Sequence, residues 1–246
     1  MKCSNCDRDL QPDFKVCPFC GTNVGPLLCP ACDSEIEQEF RFCPYCSELV
    51  DPGASDLSED PQPISSASPT VAHRAEARKF NSSGLTKGNA GKYREAINDY
   101  NKAIEIDPGD ASTYYNRGMA YGGLKSYKWA IKNYDRAIEI DPGYVSAYVS
   151  RGQDYYSLNQ PERAIEDYDR ATEIDPRNVW AYVSRGLAYQ KLAQYDRAFE
   201  DYGRAIEIDP ENLYGYASRG LAYRDLNQTE QADAGFAMIR KLNGEL

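Results

Sequence analysis

From about residue 77 onward, apolar, small and polar positions recur with a fixed period of 34 residues. With each period numbered from 1, packing residues fall at positions 4, 8 and 11, as in Tyr182, Gly186 and Tyr189. That i, i+4, i+7 spacing gathers them on one face of a helix. A second set follows, with alanine at position 20 (Ala96, Ala130, Ala164, Ala198, Ala232), an aromatic residue at 24 and usually alanine at 27. Glycine at position 8 (Gly84, Gly118, Gly152, Gly186, Gly220) lets the paired helix come close. Asp-Pro dipeptides at 107–108, 141–142, 175–176 and 209–210 end each second helix, because proline cannot continue it. The pattern predicts five helix pairs over residues 77–246. Each pair leaves an apolar face for its neighbour, so the pairs stack into a right-handed superhelix, an all-α solenoid.

The segments "AINDYNKAIEIDP", "AIKNYDRAIEIDP", "AIEDYDRATEIDP" and "AFEDYGRAIEIDP", followed by "YYNRGMAY", "YVSRGQDY", "YVSRGLAY" and "YASRGLAY", resemble the tetratricopeptide repeat, TPR. The resemblance covers residues 77–246 and implies a scaffold that binds other proteins. Position 7 departs from it: four repeats carry arginine there (Arg117, Arg151, Arg185, Arg219) where the family often has leucine. The expected arrangement is a packed stem with the guanidinium reaching a carboxylate or a helix end. The first repeat departs too, with Ser83 and Lys87 at packing positions, as at the solvated end of a stack. Some members clamp a C-terminal carboxylate with Lys, Asn and Arg. The matching positions here are Asn81, Leu85, Asn116, Ser146 and Ser150, of which only Asn116 fits, so such a clamp is not expected.

If positions 4, 8 and 11 face the core, positions 2, 5, 9, 12 and 13 point the other way. In the resembled family that face lines the concave groove. Here it carries Tyr115, Met119, Val149, Gln153, Tyr156, Trp180, Val183, Leu187, Tyr214 and Leu221. Apolar and aromatic residues on a face that should be wet point to a site for a peptide or helix. The competing reading is that they pack on the next repeat.

The first 50 residues are different in kind. All eight cysteines lie there, and Cys3, Cys6, Cys17 and Cys20 recur 26 residues on as Cys29, Cys32, Cys43 and Cys46. Fifty residues cannot fold on an apolar core alone. Two Cys-x-x-Cys knuckles brought together offer four tetrahedral sulfurs, a donor set suited to zinc. Four thiolates leave no open position, which argues against a catalytic metal. Rubredoxin-like iron would use the same ligands, although the ten-residue gap is short for it, and a thioredoxin-like redox motif lacks its βαβ setting. The stretches "CSNCDRDLQPDFKVCPFCG" and "CPACDSEIEQEFRFCPYCS" resemble a double zinc ribbon over residues 3–47, which implies two structural zinc sites.

Residues 51–76, rich in proline, serine and acidic side chains, read as a flexible linker. The expected domains are thus a double zinc ribbon at 1–50, a linker at 51–76 and five repeats at 77–246. The net charge is −10, and the cysteine segment carries 4 basic against 8 acidic side chains, so neither nucleic acid nor an anionic membrane is a favoured partner. No apolar run is long enough to span a bilayer, and no signal peptide is apparent. Clustered thiols then fit a reducing cytoplasm. The one histidine, His73, falls in the linker, which removes histidine-based catalysis from a folded site. The sequence reads as a non-enzymatic adaptor with a groove for a peptide and two structural zinc ions. A nucleic-acid-associated regulator, contacting through the ribbons and recruiting through the repeats, is the alternative. Docking of the ribbon or linker into the chain's own groove is a further expectation, since the linker is long enough to permit it.

Overall fold

The computed structural model describes residues 69–244 and two short strands nearer the N-terminus. The chain divides into two units, residues 1–62 and 63–246. In the first, β1 (Leu27–Leu28) pairs antiparallel with β2 (Glu35–Ile36), Leu27 opposite Ile36. These strands flank Cys29 and Cys32 in sequence, the place where a hairpin carrying a metal knuckle would fall. The eight cysteines and linker residues 51–68 lie outside the described residues.

The second unit is wholly helical among its described residues. Its helices are α1 (Val71–Asn89), α2 (Tyr93–Ile106), α3 (Ala111–Gly123), α4 (Tyr127–Ile140), α5 (Val145–Ser157), α6 (Pro161–Ile174), α7 (Val179–Lys191), α8 (Tyr195–Ile208), α9 (Leu213–Asp225) and α10 (Thr229–Leu242). They form five successive hairpins, each packed on the next. Helix α1 begins six residues before 77, with the Thr70 hydroxyl accepting the His73 N–H at its N-terminus. His73 therefore lies on a helix rather than in a linker, and is exposed.

The turn inside every hairpin sits at position 15, where Gly91, Lys125, Asn159, Ala193 and Asn227 all have φ between 56° and 74°. The next N–H reaches back to the carbonyl five residues earlier, as Gln194 does to Tyr189 at 2.9 Å. This is a left-handed helix stop that satisfies otherwise orphaned carbonyls. The turn between hairpins uses the Asp-Pro pair. Asp107, Asp141, Asp175 and Asp209 each end a helix and accept a backbone N–H two residues on through Oδ1. The side chains of Asp110, Asn178 and Asn212 then cap the following helix.

The core repeats with the sequence. The position-20 alanines are all buried, and the largest fully buried side chains include Tyr100, Tyr134, Tyr168 and Tyr202, all at position 24. Each of these rings lies on the position-8 glycine of its own repeat: a Cβ added to Gly152 would stand 2.6 Å from Tyr168, and one added to Gly186 2.5 Å from Tyr202. Nothing larger than glycine fits beneath the ring. Burying each ring contributes about 2 kcal/mol.

Candidate functional site

Among the described residues, α1, α3, α5, α7 and α9 each contact the next in that series, whereas the second helices do not contact one another. The first helices therefore lie on the inner, shorter side of the stack. Positions 2, 5, 9, 12 and 13 are the ones expected on this face.

Position 7 is the joint between repeats. Arg151 donates from Nε and Nη2 to Asp167 on α6, at 2.9 and 2.6 Å, and from Nη1 to Asp135 on α4, at 2.5 Å. Arg185 does the same with Asp201 on α8 and Asp169 on α6. Arg117 uses amides instead, Asn133 and Asn101. Each partner is 16 residues away, one ahead in its own repeat and one behind in the previous repeat. The expected carboxylate ends are thus identified. Burial works against the Arg151 charge, but the two aspartates outweigh it and raise its pKa. Burial pushes the Asp167 carboxyl up by more than Arg151 pulls it down. In the first repeat Ser83 and Lys87 both bind Asp99 of the same hairpin, at 2.6 Å each, while most of α1 around them is exposed, as at the solvated end of a stack. Burial raises the Asp99 carboxyl, yet the Lys87 and Ser83 bonds outweigh it and hold it below its ordinary value.

The expected groove residues separate into three groups. Met119, Trp180, Tyr214 and Leu221 are exposed, and so is Gln153. The Trp180 and Tyr214 rings, both at position 2 of adjacent repeats, meet with centroids 4.8 Å apart. Tyr115, Val149, Tyr156 and Leu187 are half-buried. Tyr115 packs edge-on to Tyr144 at 5.1 Å, and Tyr156 lies under Lys191, whose Nζ is 4.4 Å from the ring centre. Val183 is 3% exposed and belongs to the packing, which corrects its place in the groove. Position 5 is half-buried in the other four repeats, so it borders the open face, and in the fourth repeat Val183 is covered.

Tyr115, Met119 and Gln153 share a cavity of about 550 Å³ between the first three repeats. Asp154 also lines it, a residue the periodicity alone did not single out. It is buried, and its Oδ2 has no hydrogen-bond partner. The signal was in the sequence: position 10 is alanine in three repeats and aspartate only here. Burial raises the Asp154 carboxyl to about 7.

Comparison with known proteins agrees with this architecture. TPR repeat and tetratricopeptide repeat families match residues 89–125 and 152–192, and 111–144 and 179–212, respectively. The double zinc ribbon family matches residues 3–47. No curated protein matches the chain. Among solved structures, a crystal structure of MamA is 26% identical over 66% of this chain and 95% of its own, with a TM-score of 0.59. MamA from Desulfovibrio magneticus RS-1 is 20% identical over 69% and 96%, with a TM-score of 0.62. YrrB, a TPR protein with an unusual peptide-binding site, is 21% identical over 66% and 84%, with a TM-score of 0.54. The last two likenesses concern the fold. Among the described residues no helix is long and apolar enough to cross a membrane.

Proposed function

We propose that this chain, a tetratricopeptide-repeat protein with a double zinc ribbon at its N-terminus, is a non-enzymatic adaptor that holds a peptide or helix of a partner protein on its inner face. One observation carries the reading. Met119, Trp180, Tyr214 and Leu221 stay 36–59% exposed along one side of a stack whose other described aromatic rings are buried or half-buried. Apolar side chains left open in a row are a cost in water unless a partner covers them. The polar joints at Arg151 and Arg185 support the same role, since they fix the spacing of repeats and so the shape of the face.

The N-terminal ribbons supply a second contact module. Each set of four cysteines is a soft, closed donor set that fits one structural Zn²⁺: Cys3, Cys6, Cys17 and Cys20 would hold one ion, and Cys29, Cys32, Cys43 and Cys46 the other. The metal would supply folding energy there and no open position for chemistry. A reducing cytoplasm is the setting that keeps such thiols available as ligands.

The test is capture of partners from native lysate on wild type and on the Trp180→Ala, Tyr214→Ala double variant, with nuclease present. Both side chains are exposed, so the variant keeps its melting temperature. Loss of a nuclease-resistant protein partner is the expected result. Capture unchanged by the double variant would sink the inner-face reading and leave the ribbons as the contact surface.

A further inference from the structure

Asp154 breaks a column of small residues. Position 10 holds Thr86, then Ala120, Ala188 and Ala222 in the second, fourth and fifth repeats, and these three alanines are 0–3% exposed. In the third repeat the column carries a carboxylate that is 8% exposed. It lies across from the end of α3, where a Cβ added to Gly122 would stand 3.7 Å from Asp154 Oδ2. Its Oδ2 has no hydrogen-bond partner. No lysine, arginine or histidine lines the cavity that Asp154 borders. The ionisable groups that face the carboxylate are the phenols of Tyr134 on α4 and Tyr168 on α6. An unpaired carboxylate in such a place is strongly disfavoured, and burial is the sole cause of its raised pKa.

The surroundings describe what would relieve it. Tyr93, Tyr100, Tyr115 and Tyr134 line the same space of about 550 Å³, with Asn116 and Gln153 offering amides. Aromatic faces around one buried carboxylate form a receptor for an ammonium or guanidinium group on an apolar stem. We propose that this cavity is a specificity pocket for a single lysine or arginine side chain of a partner segment lying along the inner face, with Asp154 as its counter-ion. The proposal rests on the inner-face reading and adds to it the chemistry of one partner residue. The chain's own linker is a poor occupant. Residues 51–76 carry 5 acidic side chains and one basic one, Arg74, which is fixed on α1.

The experiment uses the full-length chain, zinc-loaded, and a synthetic library of random nonapeptides, N-acetylated and C-amidated. Binders are selected on wild type, on Asp154→Asn and on the Trp180→Ala, Tyr214→Ala variant. Asn keeps the shape and removes the buried charge, so that variant folds, which its melting temperature verifies. Wild type should enrich peptides with lysine or arginine at one fixed position. Asp154→Asn should lose that preference, and the best wild-type peptide should bind it about tenfold more weakly. The wild-type affinity should also fall from pH 8 to pH 6, as the carboxyl takes up a proton, while that of Asp154→Asn stays level. Enriched peptides with no fixed basic residue, or a basic preference that survives Asp154→Asn, would overturn the pocket and leave the inner face standing. No enrichment on wild type would overturn both.

Discussion

The Arg151 guanidinium grips the Asp167 carboxylate with two parallel bonds, Nε to Oδ2 at 2.9 Å and Nη2 to Oδ1 at 2.6 Å. The Asp167 side chain is only 7% exposed, so it depends on that grip. Removing the arginine strands a buried charge, which costs about 3–5 kcal/mol. Arg151→Leu should therefore lose stability on that scale in urea melts at pH 7. Asp167→Asn should cost about 1 kcal/mol, because the second repeat already satisfies Arg117 with Asn133 and Asn101. Equal losses for the two variants would mean that the Asp167 carboxylate is not stranded when the arginine is removed.

The fifth repeat lacks this joint. Arg219 has its two partner positions filled by Gly203 and Gly235, and its guanidinium lies over the Tyr216 ring, 5.6 Å from its centre. A Cβ added to Gly203 meets nothing within 4 Å. Gly203→Asp should stabilise the stack by about 1 kcal/mol, from helix propensity and a new partly exposed ion pair. The check is a double-mutant cycle with Arg219→Met. A favourable coupling of about 0.5–1 kcal/mol is expected; zero coupling would mean that Arg219 does not reach the new carboxylate.

Why some of this was legible and some was not follows from range. Ala164, Tyr168 and Gly152 meet within one hairpin, so a column of identical positions exposes them. The partners of Arg151 lie 16 residues off in either direction, a separation set by how hairpins stack and not by the period of any one helix. Val183 was misplaced because helical geometry assigns a face but not the width of the seam between faces. The start of α1 was read too late because the proline and serine before it resemble linker, whereas Thr70 serves as a helix cap. Asp154 was missed by attending to what repeats; its meaning lies in where the repeat is broken.

The double zinc ribbon predicts a stoichiometry. Full-length chain should carry two Zn²⁺ by elemental analysis, and Cys3→Ser and Cys43→Ser should each lose one, because each removes a ligand from a different set of four. Chelation should remove both ions while the far-ultraviolet helical signal of residues 71–242 holds, since none of those residues is a cysteine. Iron in place of zinc, with its coloured thiolate bands, would overturn the assignment.

Asp154 links stability to pH in a direction opposite to that of Asp99, whose carboxyl is held below its ordinary value. Burial raises the Asp154 carboxyl from 3.8 to about 7 in the folded chain. Between those values the folded chain holds a proton that the unfolded chain releases, so stability is lost as pH rises through the window and is unchanged by this group above it. The loss amounts to at most about 4 kcal/mol by pH 8. Asp154→Asn has no proton to release and escapes it. Melting temperatures of the two proteins without peptide, taken from pH 4.5 to pH 8.5, should diverge in favour of Asp154→Asn up to about pH 7 and then run parallel. A difference that is flat across the whole range would show that Asp154 keeps an ordinary carboxylate in the folded chain, reached by water.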